Sequence, residues 1–515
     1  MPISNVVLAR LDSGERRVST SQPQAVEAGA TPWFRGEAAR ERTPWIALIA
    51  LTTLAVILRA IGLNGGLWLD EILTLVDSVR KPLAQIVTVF PGNNQHTLYS
   101  VLAHISIGTF GDHPWSLRLP ALLFGAATPL VLYFFAREVT GCIEALFAGL
   151  LLAVSYHHVW FSQNARGYSA LAFFALLASW LLLRGLRRGR LVDFLCYGAV
   201  AALGVYTHLT MVFMVIAHAA ACTVLLGWPV GKSTLAQWRL PLIGFALATV
   251  LSLLLYAPLL FDVQQFFLKR TMPAAVATPT WAAKAMVSGL RVGTGTALGA
   301  LAGAIVFICG LRSYFRQSRF LLALFVLPGV FTLAVVLALR QPIFPRFLFF
   351  LAGFGVLILV RGALEIGAWL TRQNKEGAAP PPVTTLGVAL VSLMVAISAV
   401  SLDFDYRYPK QDFDAAMQFV QARRAEAEPV LAAGGAVYPY RQYYRLPWSG
   451  LTSLGQLNDI RAQGQRVWVV YTLADYIEAG TPDLMRALRE ECSVAEVFRG
   501  TVAGGDLTVC VLPKR

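Results

Sequence analysis

Long uncharged apolar stretches recur along most of this 515-residue chain, and they limit its possible folds more than any other feature. Several of them reach or exceed the roughly 18 residues that an α-helix needs to cross a lipid bilayer. Hydrophobic residues make up 56% of the chain and charged residues only 14%, against about 25% charged residues in soluble proteins. The sequence therefore predicts an all-α polytopic membrane protein. It excludes a soluble enzyme, a disordered chain and a secreted disulfide scaffold.

About eleven transmembrane helices are predicted between residues 45 and 401, which form the membrane domain. Residues 1–44 are polar and contain no apolar core, so we predict a disordered cytoplasmic tail. Residues 63–114 are too polar for a plain span and too apolar for a linker, which favours a first outer loop of short amphipathic helices. The predicted spans lie at about residues 45–62, 115–136, 142–160, 168–186, 192–206, 208–227, 240–260, 288–311, 319–339, 346–370 and 383–401.

Basic residues concentrate in alternate connections between the spans, and the formal net charge is +14. Because Lys and Arg favour the cytoplasmic side of a membrane, this asymmetry predicts a cytoplasmic N-terminus in a cell inner (plasma) membrane. An odd number of spans then places the C-terminal segment on the extracytoplasmic side. The same charge does not indicate nucleic-acid binding, because the chain has no base-stacking module and no continuous basic face.

Residues 402–515 change character and predict a small extracytoplasmic α/β domain. Short apolar strands at 429–435, 467–471 and 507–512 alternate with helical segments at 412–424 and 482–491. In an oxidising compartment Cys492 and Cys510 could pair, and two unpaired core cysteines are an equal alternative. The absence of a CxxC motif or a His/Cys cluster from the sequence argues against a structural zinc site.

Charged side chains close to a bilayer are functional candidates by default, and the first of these are Asp70 and Glu71. They follow Gly65-Gly66 and Trp68, just past the outer end of the first predicted span. Neighbours on a helix diverge by about 100°, so the two carboxylates cannot serve one point in the same way. The structural alternative is that Asp70 caps a short helix after the glycine turn.

Further polar and cationic residues are predicted at the same outer membrane face. They are His96, Arg118, Arg166, His208, Lys269, Arg270 and Arg346. Each alone has an ordinary explanation, such as an interfacial histidine or an arginine that extends towards the headgroups. Together they predict a site for an anionic lipid substrate with a transferable group. Cations would bind phosphate, while a carboxylate would accept the proton of an attacking hydroxyl.

A series of short motifs follows the same order as in one known family. These motifs are Arg59 to Glu71, His96-Thr97-Leu98-Tyr99, Arg118-Leu119-Pro120, Gln163 to Tyr168 and Pro345-Arg346-Phe347. Over about residues 45–425 the chain resembles the membrane-embedded glycosyltransferases of the GT-C fold, specifically glycosyltransferase family thirty-nine. That family includes enzymes similar to protein mannosyltransferases, aminoarabinose transferases and rhizobial galacturonosyltransferases. One departure is the absence of the two prolines that relatives often carry after the residue matching His96.

The resemblance implies a polyprenyl-phosphate-linked sugar donor and an inverting transfer at the extracytoplasmic face, with Asp70 as the general base. Glu71 would position the acceptor or assist the base. The implied substrate and lipid-phosphate contacts are led by Arg166 and Arg346 and include Arg59, His96, Tyr99, Arg118, Tyr168, His208, Lys269 and Arg270. Some relatives bind a divalent metal ion, and Glu71, His96 and His208 are the candidate ligands here.

The acceptor stays open at this point among a glycolipid such as lipopolysaccharide, a polysaccharide and a protein. Two other functions also remain open. A transporter or flippase of lipid-linked or anionic substrates would favour inverted repeats with broken spans in matching halves, and the sequence shows no such symmetry. A non-catalytic assembly subunit would carry an inert Asp70.

Overall fold

The computed structural model describes residues 42–92, 94–228, 231–269, 287, 296–338, 344–373 and 380–514. Residues 1–41 of the predicted cytoplasmic tail lie outside the described residues, and so does Arg270. The side chain of Lys269 is also outside them. All further statements concern the described ranges.

Seven helices in the described part of the chain are long and apolar enough to cross a membrane. A bent pair, Cys142–Ala153 and Tyr156–Ser162, adds an eighth if the two helices form one span, with an angle of 58° between them. The seven helical segments are Pro114–Val139, Tyr168–Arg188, Thr234–Phe266, Ala297–Gln317, Arg319–Ala338, Pro345–Leu370 and Thr385–Arg407. Two of them are composite. Helix Lys232–Tyr256 continues through a 3-10 turn into Leu260–Lys269, and the 3-10 turn Pro345–Leu351 leads into Ala352–Leu370.

The other three predicted spans coincide with shorter apolar helices, Trp45–Ala60, Leu191–Thr207 and Met211–Leu226. A helix of 16 or 17 residues is only about 24–26 Å long at a rise of about 1.5 Å per residue, less than the ~30 Å hydrocarbon core. The number of full-length spans is therefore smaller than the predicted eleven. The division between the second and third of these helices is confirmed, because His208 to Thr210 interrupt them.

The first loop folds into three short helices, Leu69–Thr74, Leu83–Thr88 and Thr97–Phe110, with a π-helical turn at Leu75–Val79 after the first of them. Asp70 does not cap its helix. The N-cap residue is Trp68, and Glu71 Oε2 accepts its backbone N–H at 3.4 Å. Asp70 and Glu71 therefore occupy the first turn of a helix, where their charges favour the positive end of the helix dipole.

The C-terminal segment contains one five-stranded sheet in the order β2-β1-β3-β5-β4. Its strands are β1 (Val430–Gly434), β2 (Ser449–Leu451), β3 (Val467–Thr472), β4 (Ser493–Phe498) and β5 (Leu507–Leu512). Strands β1, β2 and β3 are parallel, and β5 pairs antiparallel with both β3 and β4. The helices of this segment are Phe413–Arg423, Leu454–Arg461, Ala474–Gly480 and Pro482–Glu491. The prediction of an all-α membrane protein with a small C-terminal α/β domain is confirmed.

The sequence analysis did not predict two strands, and both lie at the edges of the sheet. β4 is exposed at five of its six positions, and Glu496 interrupts its short apolar run, so it is not recognisable as a buried strand. β2 is only three residues long. Beside β4, Cys492 forms a disulfide with Cys510 of β5, which decides between the two alternatives that the sequence left open.

The first loop and the C-terminal domain share one hydrophobic core. Ile72 and Tyr99 of the loop lie in the same buried cluster as Phe413 and Trp468 of the C-terminal domain. The ring of Trp68 also lies 5.9 Å from that of Trp160, and Trp160 Nε1 donates to Thr501 Oγ1 at 2.8 Å. The C-terminal domain is therefore packed directly against the segment that carries the predicted catalytic carboxylates.

Candidate active site

Glu71 and Arg118 form a closed, buried ion pair. Arg118 donates from Nε to Glu71 Oε1 at 2.7 Å and from Nη2 to Oε2 at 2.6 Å. Its remaining N–H groups reach the carbonyls of Leu63, Gly65 and Gly66. Burial by itself would raise the pKa of Glu71, but the Arg118 charge outweighs this and holds the pKa below its usual value. Because all five guanidinium donors are occupied, Arg118 fixes the glycine turn and has none left for a phosphate.

Asp70 has different surroundings, although it is the next residue along the chain. Its Oδ2 lies 2.8 Å from Arg166 Nη1 and 3.1 Å from Arg346 Nη1. Its side chain is 15% exposed, whereas that of Glu71 is fully buried. Oδ1 accepts no hydrogen bond from any described residue. Asp70 therefore combines two cations on one oxygen with a second oxygen that is free to accept a proton.

Arg166 is fixed by several neighbours at the start of helix Tyr168–Arg188. It donates to Asn94 Oδ1, and Nη2 lies 2.9 Å from His96 Nε2. A guanidinium group can only donate, so His96 Nε2 must accept, and the neutral ring carries its proton on Nδ1. Burial, and then the charge of Arg166, hold the pKa of His96 well below its usual value. His96 is therefore a neutral support for Arg166.

Tyr168, His208 and Arg346 complete the cluster. The His208 ring lies 4.8 Å from that of His96 and 5.6 Å from that of Tyr168. His208 Nδ1 accepts the backbone N–H of Thr210 at 3.2 Å, which leaves its proton on Nε2. Burial lowers the pKa of His208 to about 3, with further contributions from Arg166 and Arg346. With both histidines neutral, one carboxylate and two guanidinium groups leave the site a net positive charge.

The structure brings together six of the predicted residues: Asp70, His96, Arg166, Tyr168, His208 and Arg346. Two others have structural contacts elsewhere. Tyr99 is fully buried and donates to the Leu117 carbonyl at 2.6 Å. Arg59 is buried in the membrane domain, where it contacts His158, Ser162 and the carbonyls of Ala55 and Ala153. Helix Leu260–Lys269 reaches the first loop, since Asp262 accepts the Phe90 N–H at 3.1 Å.

Sequence reasoning missed three residues around the site. Asn94 donates to the Asp70 carbonyl at 2.8 Å, and its position in the polar segment before His96 was the available signal. Gln411 Oε1 accepts the Leu69 N–H at 3.0 Å, while its Nε2 reaches Thr472 Oγ1 at 3.1 Å. Lys410, the residue before it, is buried beside Trp160. No sequence signal marks Gln411 or Lys410, which lie about 340 residues from Asp70.

The residues of the site do not fit a divalent metal ion. Within the described ranges no group of three or more His, Cys, Asp and Glu side chains is arranged to hold one. Both oxygens of Glu71 are occupied by Arg118, and His96 Nε2 is occupied by Arg166. Glu71 and His96 are thus already bound to arginines, and His208 Nδ1 is occupied by the backbone N–H of Thr210.

Part of the chain matches a family model. Residues 97–261 match the family model described as dolichyl-phosphate-mannose-protein mannosyltransferase. The resemblance predicted from the motifs is therefore confirmed for this part of the chain. The matched residues include helix Thr97–Phe110, which follows His96, and also Arg118, Arg166, Tyr168 and His208.

Two putative mannosyltransferases of Bacillus subtilis strain 168 are similar over shorter stretches. YkcB is 31% identical over 112 residues, which are 22% of this chain and 16% of YkcB. YycA is 33% identical over 107 residues, which are 21% of this chain and 16% of YycA. The similarity thus covers about a sixth of the length of either relative.

Among solved structures, ArnT from Cupriavidus metallidurans in the apo state has a TM-score of 0.49 at 13% identity. The overlay covers 91% of this chain and 97% of ArnT. This TM-score lies below 0.5, so the overlay carries no functional argument. The family match and the local geometry do.

Proposed function

We propose that this protein is a membrane glycosyltransferase that moves a sugar from a polyprenyl-phosphate donor to a hydroxyl group of an acceptor. The observation that carries the proposal is the position of Asp70, with one oxygen between Arg166 and Arg346 and the other open. The family match over residues 97–261 supports the donor class, because its description names a polyprenyl-phosphate sugar. The acceptor is a glycolipid, a polysaccharide or a protein.

Arg166 and Arg346 have different roles in the proposed site. Arg166 is 98% buried at its side chain and already bound to Asp70, Asn94 and His96, so it orients the carboxylate. Arg346 has a 28% exposed side chain and one contact to Asp70. Its exposed part binds the donor phosphate by charge-assisted hydrogen bonds. The Nε2–H of neutral His208 supplies a further donor without adding charge.

In the proposed reaction Asp70 Oδ1 removes the proton of the acceptor hydroxyl as its oxygen attacks the anomeric carbon. A new carbon–oxygen bond forms while the bond between that carbon and the phosphate oxygen breaks. The lipid phosphate leaves with the electron pair, and its charge is stabilised by Arg346 and His208. Attack from the face opposite to the leaving phosphate inverts the anomeric configuration.

The extracytoplasmic location of this site is part of the proposal. A disulfide joins Cys492 to Cys510, and such bonds persist in oxidising compartments. The domain that carries it shares a hydrophobic core with the first loop, so both lie on one side of the membrane. The distribution of basic residues also favours a cytoplasmic N-terminus. These observations support an inner-membrane enzyme with its C-terminal domain in the periplasm or its equivalent.

The test is Asp70→Asn in cells that otherwise lack the protein. Loss of the general base lowers transfer by about 100-fold to 10,000-fold, so we expect the polyprenyl-phosphate sugar to accumulate and one envelope glycan to disappear. Mass spectrometry of both pools measures this and identifies the sugar. Asp112→Asn is the matched control, because Asp112 is an exposed carboxylate on the same loop, paired with Arg80.

Equal pools of lipid-linked sugar in cells with wild-type protein and with the Asp70→Asn variant would refute the proposal. Membrane levels of both variants are compared by immunoblot, and their folding by size-exclusion chromatography in detergent. Activity is normalised to the amount of folded protein, because Asp70→Asn also leaves the buried Arg166 without its carboxylate partner.

A further inference from the structure

Asp405 and Lys410 are two buried charges that do not pair with each other. Asp405 lies near the end of helix Thr385–Arg407 and Lys410 follows it, and each residue is only 8% exposed. They are near enough for Asp405 to be the main charge acting on Lys410. They nevertheless form no ion pair with each other. In the described part of the chain Asp405 Oδ2 is fully buried without a hydrogen-bond partner, and the Lys410 ammonium group contacts the Trp160 ring.

Leaving the Asp405 carboxylate buried without a partner is unfavourable, because a buried charge loses its hydration and gains no compensating interaction. Burial accordingly lowers the pKa of Lys410. Two buried opposite charges that form no ion pair suit a ligand that donates a hydrogen bond to the carboxylate and accepts one from the ammonium group. A sugar offers this on adjacent carbons, because one hydroxyl donates to the carboxylate while its neighbour accepts from the ammonium group.

The surroundings of the pair favour an uncharged guest. Asp405 and Lys410 balance each other, and the nearby Glu71 and Arg118 are already paired. No excess positive charge is left to select a phosphate, in contrast to the site around Asp70. The Lys410 ammonium lies 5.2 Å from the centre of the Trp160 ring. That ring is held by its bond to Thr501 and packs 5.9 Å from the ring of Trp68. The Trp160 ring is partly exposed, and such a ring suits the apolar face of a sugar.

We propose that Asp405 and Lys410, next to Trp160, bind a neutral sugar residue of the acceptor through adjacent hydroxyl groups. The proposal rests on the proposed function and narrows the acceptor to a molecule that already carries sugar. The position of Lys410 fits this role. The next residue, Gln411, accepts a hydrogen bond from the backbone N–H of Leu69, the residue before Asp70. Gln411 follows Lys410 in the chain and Leu69 precedes Asp70. The hydrogen bond between Gln411 and Leu69 therefore connects the proposed sugar site to the proposed base.

The experiment measures sugar binding without requiring turnover. Full-length protein in nanodiscs is titrated with phosphate-free oligosaccharides that mild acid releases from the host cell envelope, and binding is read by saturation-transfer NMR. We expect Asp405→Asn and Lys410→Met each to weaken binding about tenfold or more, as expected when a hydrogen bond to a charged group is lost. Asp403→Asn is the matched control and keeps wild-type binding. It lies on the same helix, is 66% exposed and pairs with Arg407.

The double variant Asp405→Asn with Lys410→Met distinguishes a loss of binding from a loss of folding. It removes both unpaired charges, so we expect it to melt at or above the wild-type temperature while its oligosaccharide binding is lost. Wild-type protein that binds no oligosaccharide overturns the proposal. So does binding that survives in the double variant, which would mean that the two charges hold only water.

Two further arms separate this proposal from the proposed function. Competition by inorganic phosphate at the Lys410-dependent site would overturn it, because it would show an anion site. The Asp70→Asn protein should lose sugar transfer but still bind the oligosaccharides. If the wild type consumes no lipid-linked sugar but binds oligosaccharides through Asp405 and Lys410, the proposed function fails and the sugar site stands.

Discussion

Asp70 and Glu71 are neighbours in the chain, yet they belong to two different regions of the structure. The Glu71 region is saturated, because both carboxylate oxygens are bound by Arg118 and the backbone N–H of Ala165 also reaches Oε1, at 2.7 Å. The Asp70 region is unsaturated. One of its oxygens has two arginine partners, and the other has none among the described residues.

The comparison shows that burial of a charged group does not by itself indicate a catalytic role. Glu71 is the more buried of the two carboxylates and the charge of Arg118 lowers its pKa, but all its bonding capacity serves the fold. Asp70 is less buried and keeps an oxygen that accepts no hydrogen bond from the described residues. Within one helical turn the two side chains diverge by about 100°, which allows Glu71 to anchor the loop while Asp70 faces Arg166 and Arg346.

The largest effect on stability is expected from breaking the saturated region. Arg118→Met leaves Glu71 buried and unpaired, which costs about 3–5 kcal/mol, so little folded protein should be recovered. Thermal unfolding of the detergent-solubilised protein, followed by tryptophan fluorescence, measures this. The double variant Arg118→Met with Glu71→Leu should recover part of the loss. An Arg118→Met protein as stable as the wild type would show that the pair does not hold the loop.

A smaller effect, on binding, is expected in the unsaturated region. Arg346→Ala removes the exposed cation next to Asp70, so the KM for the lipid-phosphate donor should rise about tenfold to a hundredfold. The KM for the acceptor should change much less. Steady-state kinetics in nanodiscs separate the two values, and Arg80→Ala, an exposed arginine of the first loop, is the control. Equal changes for donor and acceptor would contradict a phosphate contact.

The smallest effect concerns pH. His208 has a folded pKa of about 3 against 6.5 when unfolded, and His96 is shifted in the same direction. Between these values the unfolded chain binds protons that the folded protein does not, so stability falls as pH decreases below about 6.5. Unfolding temperatures at pH 5 and pH 7 measure this. In His208→Gln the difference between the two temperatures should be smaller, and an unchanged difference would contradict the assignment.

Local sequence was sufficient for the helices and for most of the C-terminal sheet. Hydropathy located the apolar helices because a span needs about 20 apolar residues in succession, and the buried strands β1, β3 and β5 were recognisable by their apolar runs. The exposed strand β4 was not. The motifs also identified Asp70, Arg166 and Arg346 as members of one site, although 276 residues separate Asp70 from Arg346.

What the sequence alone determined is therefore the membrane fold class, the α/β character of the C-terminal domain and the residues of the proposed phosphate site. Only the tertiary structure decided how each charge is used. It showed that the N–H groups of Arg118 are all bound by Glu71 and nearby carbonyls and that Gln411 joins the C-terminal domain to the first loop. It also showed that Asp405 and Lys410 form no ion pair beside Trp160. The physical reason is that hydropathy and motifs are properties of nearby residues. The saturation of a hydrogen-bonding group depends on partners that lie hundreds of residues away, such as Gln411 for Leu69.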